Sequence, residues 1–138
     1  MSDDVLTCVE ELLHEETQVH DGGVDLTVAT VERITAAGRV DFGGGELKPA
    51  EREPVEQYWR NPDDDYQWWD LDRGQYLLTL NETLSAGPVR IQPRTAIIER
   101  GATHPTLRVS ALPALPLTVG DGGIHLKENA RVTTDTSV

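Results

Sequence analysis

The segment Pro93-Arg94-Thr95 carries side chains suited to holding a phosphate group. It leads into a short stretch of helical character, residues 95–100, which Gly101 is placed to end in a left-handed conformation. A guanidinium makes forked, charge-assisted contacts with phosphate oxygens, and free backbone N–H groups in a first helical turn add donors. The same pattern is typical of a plain helix cap beside a surface arginine, so both interpretations stay open.

Three side chains near this segment could move a proton. They are Glu99 in the predicted helical turn, His104 just after it, and Asp121 in a glycine-rich turn. Histidine titrates near neutrality, which suits acid–base chemistry, but His104 also fits a buried histidine held by hydrogen bonds. An aspartate beside glycines is commonly a turn former. Cys8 lies beside an apolar stripe, which favours packing over nucleophilic catalysis.

Three consecutive aspartates, residues 63–65, lie among aromatic residues in a polar segment, residues 46–70. Calcium loops need spaced ligands, a turn glycine and a distal glutamate, and this segment lacks that arrangement. We therefore predict a solvated loop insertion pinned to the protein by Trp59, Trp68 and Trp69, and assign no metal site. Exposed tryptophans also mark contact surfaces, so an interaction module is a further candidate.

The pattern of apolar residues predicts the elements that must position these side chains. Apolar side chains at helical spacing over residues 4–15 predict an N-terminal amphipathic helix within residues 1–16. Strict alternation over residues 24–31 puts Val24, Leu26 and Val28 on one face of a strand. Short strands separated by Gly and Pro indicate a mainly β barrel or sandwich with one short internal helix. Further strands are predicted at residues 39–42, 75–80, 89–91, 107–109, 115–119, 124–126 and 130–132, followed by a frayed tail over 133–138.

Length and charge restrict the functional class. The 138 residues suit a single domain, 1–138, and 24 acidic against 12 basic residues give a net charge of −12. Such a surface repels nucleic-acid phosphates and anionic lipids, so neither partner is expected. With Lys48 and Lys127 as the only lysines, the acid excess indicates a salt-adapted cytoplasm, an acidic mesophilic protein being the alternative. The N-terminus has no secretory pattern, and no apolar run reaches the roughly 18 residues of a membrane span.

Several motifs, in this order, resemble the family of dCTP deaminases and trimeric dUTPases. Gly23-Val24-Asp25-Leu26 is similar to the family's early Ser-Val-Asp-Leu strand. The later motifs are Tyr76-Leu77-Leu78-Thr79-Leu80-Asn81-Glu82-Thr83, Pro93-Arg94-Thr95-Ala96-Ile97-Ile98-Glu99-Arg100-Gly101, His104-Pro105-Thr106-Leu107-Arg108-Val109 and Leu126-Lys127-Glu128-Asn129-Ala130-Arg131-Val132. The similarity therefore covers most of the chain from Gly23 onward.

The resemblance implies a dUTPase-like distorted β-barrel of the β-clip type and a homotrimer with sites at subunit interfaces. It also implies a pyrimidine deoxynucleoside triphosphate that carries Mg²⁺ on its phosphates. By position, Arg94 and Thr95 would contact the triphosphate, and Arg100 would partly replace a family arginine whose place Glu99 takes. The implied activity is deamination of dCTP or hydrolysis of dUTP.

The strand after this segment carries further correspondences and the main departures. By resemblance, His104, Thr106 and Arg108 would line or support the pocket. Ser110 stands where the family begins an Asp-Pro-Gly turn, and Thr118 stands where the acid–base carboxylate is expected. Threonine does not ionise near neutral pH and cannot take that role. The C-terminal segment that closes over the nucleotide is also missing from the sequence, so a non-catalytic relative that keeps the trimeric fold and nucleotide binding is the alternative.

Overall fold

Strands dominate the computed structural model, which describes residues 8–137. Its two short helices are α1 (Glu15–Gln18) and α2 (Thr95–Ile98). The strands are β1 (Val9–Glu10), β2 (Val19–His20), β3 (Gly23–Ala36), β4 (Glu51–Pro54), β5 (Trp68–Leu71), β6 (Gly74–Leu80), β7 (Thr83–Leu84), β8 (Val89–Pro93), β9 (Ala102–Thr103), β10 (Leu107–Val109), β11 (Leu115–Val119), β12 (Ile124–Lys127) and β13 (Arg131–Asp135). The prediction of a mainly β fold is confirmed. Within residues 8–137, no helix has the length and apolar character needed to cross a membrane.

The long strand β3 organises the largest sheet, which has nine strands. The main path through this sheet is β10-β8-β13-β3-β6-β11-β9, and β2 and β4 also pair with β3. The register of β3 shifts against β13, β6 and β4. Because such irregularities bend a strand and increase its twist, the antiparallel sheet curls strongly into a half-barrel. This shape is consistent with the dUTPase-like fold that the resemblance implies. Two small ribbons, β1-β7 and β12-β5, complete the described strands.

The core lies against the face of β3 that carries Val24, Leu26 and Val28, each fully buried. The predicted alternation is confirmed here, and burial of each such side chain contributes about 1.5–3 kcal/mol. The polar residues between them, Asp25 and Thr27, are buried as well. They lie on the opposite face of β3, where they begin the polar networks described below.

Gly23 allows β13 to approach the start of β3. Its φ is 134°, and a Cβ atom there would lie 2.0 Å from the backbone oxygen of Asp135. A side chain at this position would therefore force the two strands apart.

The N-terminal helix predicted over residues 4–15 does not continue beyond Cys8, which is helical. Residues 1–7 lie outside the described residues, and Val9–Glu10 forms β1, with Val9 paired to Leu84 and buried. Glu11 then adopts a φ of 66°, which a right-handed helix does not allow. The helix that does form, α1, begins only at Glu15. Pairing with β7 thus outweighs the helical periodicity.

The strand predicted over residues 39–42 is also wrong. Only Arg39 pairs, in an isolated bridge with Lys48, while Val40 and Phe42 are exposed. The alternation of side chains there has no apolar surface to pack against, so it cannot fix a strand.

The segment 46–70, predicted as a solvated loop, is partly regular because it contains β4 and β5. Trp69 is buried and Trp68 half-buried, in keeping with rings that pin the segment. Trp59 is exposed, so the prediction fails for that ring. Burial of Trp69 on β5 draws the end of the segment into the β12-β5 ribbon.

The largest difference from the prediction concerns the C-terminal residues, which were expected to fray. Residues 133–135, predicted to fray, belong to β13 and are buried in the sheet between β3 and β8. Polar side chains such as these are typical of a solvated tail, but the hydroxyls of Thr133 and Thr134 donate to the Gln92 carbonyl and to Asp25 inside the protein. The predicted helical turn over residues 95–100 is confirmed as the shorter α2, and Gly101 has the expected positive φ, 103°.

Candidate functional site

A cavity of about 460 Å³, here called the basic cavity, is lined by residues of α1, α2, β12 and β13 and of the segments beside them. Four cationic side chains line it: Arg94, Arg100, Lys127 and Arg131. No aspartate or glutamate is among its described lining residues. Carboxylates outside the lining pair with these cations: Asp25 with Arg94 and Arg131, Glu99 with Arg100, and Asp64 with Lys127 at 3.3 Å. The four cations still outnumber these three carboxylates, which favours an anionic ligand.

The rest of the basic cavity is largely apolar, with Leu13, Ile97, Ile124 and Leu126 in its lining. Trp68 also lines it. The cavity therefore combines cations with an apolar wall, a mixture typical of small-molecule sites.

Asp25 holds two of the four cations in place. Its side chain is 1 % exposed, and Oδ2 lies 3.3 Å from Nε of Arg94 and 3.2 Å from an η nitrogen of Arg131. Oδ1 accepts a hydrogen bond from the hydroxyl of Thr134 at 2.7 Å and lies 2.8 Å from Nε2 of His20. The alternation of β3 turns Asp25 away from the core, toward these partners. One buried carboxylate thus fixes the two guanidinium groups beside each other.

Glu82 anchors a second buried network that contains no cation. Its two carboxylate oxygens accept from the backbone N–H of Thr27 at 2.8 Å, from the Thr27 hydroxyl at 2.6 Å and from Nε2 of Gln18 at 2.8 Å. The carbonyl oxygen of the Gln18 side chain in turn accepts from the backbone N–H groups of Leu13 and His14. This network ties α1 and the chain before it to β3, and so positions one wall of the basic cavity.

The turn from β12 to β13 positions Lys127 and Arg131. Asn129 occupies a φ of 67° in this turn, a conformation that asparagine tolerates better than most residues. Its side-chain oxygen accepts from Nδ2 of Asn81 at 2.9 Å, and Asn81 also donates to the hydroxyl of Thr27 at 3.0 Å. The turn is therefore tied to β3 through side chains.

A third polar group lies on the β12-β5 ribbon. Nδ1 of His125, a residue that lines the basic cavity, hydrogen-bonds to Oδ1 of Asp70, and the hydroxyl of Tyr58 donates to the same oxygen at 2.7 Å. The bond from Tyr58, with a smaller effect of His125, lowers the pKa of Asp70 from its ordinary value. The same bond raises the pKa of Tyr58. The carboxylate is thus the stable form of Asp70.

Of the three residues predicted to bind phosphate, two lie in the basic cavity and one lies outside its described lining. Arg94 and Arg100 line the basic cavity. Thr95 is exposed on α2 and is not among the described lining residues. Arg94 is the N-cap of α2 but makes no side-chain capping hydrogen bond, because a guanidinium has no acceptor for the backbone N–H groups. It turns instead to Asp25 and to the carbonyl of Arg131.

The residues predicted from the His-x-Thr strand lie elsewhere. His104 is buried, with Nδ1 2.8 Å from the carbonyl oxygen of Pro105, and burial lowers its pKa. Thr106 is exposed. Arg108 pairs across β10 and β8 with Arg90, and both line a separate cavity of about 250 Å³. Within one copy of the chain, these three residues do not meet Arg94.

The carboxylates considered as catalytic groups are on the surface. Glu99 lies 3.6 Å from Arg100 in an exposed ion pair, and Asp121 forms another with Arg73 at 3.2 Å. Thr118 is exposed and its hydroxyl donates to the side chain of Gln75 at 3.1 Å. Neither carboxylate lines the basic cavity in the described chain.

Sequence reasoning missed most of the site. Lys127 and Arg131 entered only as part of a motif, and Asp25 only as part of a strand, because nothing local marks them as neighbours of Arg94. His125 and Asp70 belong to no motif that the sequence revealed. Their alternation along β12 and β5 could have indicated a shared face, but the pairing of these two strands is a long-range event that the sequence does not announce.

The described residues do not assemble a metal site of their own. Across residues 8–137, no three side chains of the His, Cys, Asp or Glu type cluster so as to hold a metal ion. The buried carboxylate of Asp25 is already bound to two guanidinium groups. A resident ion therefore does not fit this donor set, whereas an ion carried by a ligand's own phosphates would need no protein carboxylate.

Comparison with known proteins gives a consistent set of relatives. No model of a known protein family matches the chain. The chain is 30% identical over 133 residues to the probable deoxyuridine 5'-triphosphate nucleotidohydrolase of Methanosarcina acetivorans, with 90% of this chain and 74% of that protein covered. The protein of the same description from Archaeoglobus fulgidus is 31% identical over 132 residues, with the same coverage. That of Methanosarcina mazei is 29% identical over 133 residues.

Proposed function

The chain belongs to the dCTP deaminase and dUTPase superfamily, and from that membership we propose that it binds a pyrimidine deoxynucleoside triphosphate in the basic cavity. One observation carries the proposal: Arg94, Arg100, Lys127 and Arg131 converge on one cavity although the chain has a net charge of −12. A triphosphate is the most highly charged part of such a nucleotide, and guanidinium groups are its best partners.

The guanidinium groups keep donors free for phosphate. Arg94 uses Nε toward Asp25 and one η nitrogen toward the carbonyl of Arg131. Arg131 uses a single η nitrogen toward Asp25 and the carbonyl of Thr17. Since a guanidinium has five N–H groups, each arginine has donors left over. Their orientation is fixed before a ligand arrives, which lowers the entropy cost of binding.

The apolar wall suits the base and sugar of the nucleotide. Leu13, Ile124 and Leu126 offer apolar contact, and the ring of Trp68 also lines the cavity. Mg²⁺ arrives with the substrate on its phosphates, so it requires no ligand from this cavity.

Two finer functions follow from different observations. The names of the relatives favour hydrolysis of dUTP. The absence of a carboxylate from the described lining, together with Thr118 at the expected acid–base position, favours a non-catalytic nucleotide-binding relative. Deamination of dCTP has less support, because the relatives are described as deoxyuridine triphosphate nucleotidohydrolases. A homotrimer is part of the proposal, since a neighbouring copy could bring Glu99 or Asp121 to the site.

Calorimetric titration of dUTP, dCTP and dTTP, each with Mg²⁺ in concentrated KCl, tests the binding. We expect Arg94→Ala to weaken binding of the preferred nucleotide at least about tenfold, because hydrogen bonds to charged groups contribute about 1.5–3 kcal/mol. Arg90→Ala is the matched control, since Arg90 lines the separate cavity. Equal affinities of the two variants would contradict the proposed site.

Two product measurements distinguish hydrolysis of dUTP, deamination of dCTP and binding without catalysis. Release of diphosphate would support hydrolysis, and release of ammonia from dCTP would support deamination. Binding without either product would leave the non-catalytic relative as the function. Light scattering of the same preparation tests the homotrimer.

A further inference from the structure

We propose that His125 is the general base for hydrolysis of the bound nucleotide, with Asp70 as its positioning residue. The proposal rests on nucleotide binding in the basic cavity and adds the proton acceptor that the lining otherwise lacks. His125 is among the lining residues, and its side chain is 66% exposed. Asp70 is outside the described lining, so its carboxylate acts through the imidazole.

The hydrogen bonds of His125 assign the roles of its two nitrogens. Asp70 is a carboxylate that already accepts the hydroxyl of Tyr58, so its bond with Nδ1 of His125 requires Nδ1 to be the donor. In the neutral imidazole, Nε2 is then unprotonated and available to accept a proton. A carboxylate in this position also stabilises the imidazolium that forms when Nε2 takes a proton.

His14, the second histidine in the lining, has the opposite arrangement. Its Nδ1 accepts the backbone N–H of Thr17 at 3.3 Å as part of the cap of α1. In the neutral form Nε2 of His14 therefore carries the proton and can only donate. The two histidines that line the basic cavity thus differ in chemistry, and only His125 is set to act as a base.

The cross-strand register explains why His125 and Asp70 meet. His125 pairs directly with Asp70, and Lys127 pairs with Trp68, in the antiparallel β12-β5 ribbon. Side chains of directly paired residues lie on the same face, so the carboxylate is held beside the imidazole by the backbone. The other charged or titratable groups around His125 are Tyr58 beyond Asp70, Lys127 on the same strand, and the lining residues His14, Arg94, Arg100 and Arg131.

The chemical step balances with water as the only co-reactant. The water oxygen forms a bond to the α-phosphorus of the nucleotide. The bond from that phosphorus to the oxygen bridging the α- and β-phosphates breaks, and diphosphate leaves with the electron pair. Nε2 of His125 takes the proton released by the water. The products are the nucleoside monophosphate and diphosphate, and the cations of the cavity face the charge that develops on the phosphates.

The test measures diphosphate release from dUTP and, separately, calorimetric binding of dUTP to the same variants. We expect His125→Gln to lower kcat on the order of 100-fold while the Kd changes less than about twofold. Asp70→Asn should lower kcat about tenfold, with the Kd for dUTP unchanged within about twofold, because the imidazolium that forms in the step loses its carboxylate. Asp72→Asn, which makes the same change at an exposed residue outside the cavity, should leave both readings unchanged.

The outcomes separate this inference from the proposed function. Wild-type protein that binds dUTP but releases no diphosphate would overturn the role of His125 and leave nucleotide binding intact. Turnover by His125→Gln at the wild-type rate would do the same. Failure of the wild type to bind any of the nucleotides would overturn both. Because His125 and Asp70 are exposed, their substitutions leave the core untouched, and a thermal melt of each variant verifies this.

Discussion

Asp25 and Glu82 are both buried carboxylates beside the basic cavity, and they are stabilised in different ways. Asp25, 1% exposed, is surrounded by the guanidinium groups of Arg94 and Arg131, with His20 and Thr134 on its other oxygen. Glu82, 2% exposed, has only neutral donors. The side chains of Arg94 and Arg131 are 25% and 35% exposed, whereas Gln18 and Thr27, which also border the cavity, are each 2% exposed. One carboxylate therefore organises partly exposed cations, and the other organises buried neutral groups.

The difference indicates how the fold separates ligand binding from stability. Removing a carboxylate held by internal donors leaves those donors without acceptors, which costs the full desolvation of each. Removing a carboxylate held by partly exposed arginines lets water solvate them again, at smaller cost to folding. Substitution of Glu82 should therefore act on stability, and substitution of Asp25 on affinity.

The largest effect is expected from Glu82→Ala. The backbone N–H of Thr27 and the amide of Gln18 would lose their acceptor inside the protein, and we expect a loss of about 3 kcal/mol in the free energy of unfolding. Urea denaturation measures it, with the exposed Glu53→Gln as control. A loss below about 1 kcal/mol would break the comparison, since Glu82 would then not hold the chain.

A smaller effect on stability, but a clear one on binding, is expected from Asp25→Asn. The amide can keep a hydrogen bond to Thr134 but no longer attracts the two guanidinium groups, so we expect a loss of about 1–2 kcal/mol in stability. Nucleotide affinity should fall about tenfold, because the arginines lose their fixed orientation. The control is Asp21→Asn, at an exposed residue of the neighbouring turn. Unchanged affinity would show that the arginines need no positioning.

The smallest effect concerns His104, a buried titratable side chain whose Nε2 has no partner in the described chain. Burial lowers its pKa, with the carbonyl of Pro105 acting weakly in the opposite direction. The unfolded chain therefore takes up a proton at higher pH than the folded chain, and stability falls as the pH drops below about 6.5. His104→Gln should make the melting temperature less dependent on pH between about pH 7 and 5. An unchanged slope would mean that His104 is solvated in the fold.

The features that were predicted correctly depend mainly on residues that are close together in the sequence. The alternation of Val24, Leu26 and Val28 predicted β3, and the glycine after the short helix predicted its end. Arg94 was recognised from its position before that helix. In each case the neighbours in sequence are also the residues that determine the structure.

The features that the sequence analysis did not predict depend on pairing between residues that are distant in the chain. Val9 satisfies a helical period, yet it pairs with Leu84. Thr133 and Asp135 have the polarity of solvated tail residues, but both pair with β8, and the hydroxyl of Thr133 donates to the carbonyl of Gln92. The site follows the same rule, since Arg94 and Arg131 are distant in the chain and are brought together by Asp25 and by the pairing of β13 with β8.

The place of β13 between β3 and β8 has a consequence for synthesis. During synthesis, β3 is made early and β8 later. Neither strand can pair with β13 until residues 131–135 have been made. Over that interval the nascent polypeptide presents two unpaired strand edges, which can recruit other chains. Completion of the sheet, and with it the meeting of Arg131 and Arg94, therefore requires the synthesis of β13, so chaperones that shield strand edges should raise the yield of native protein.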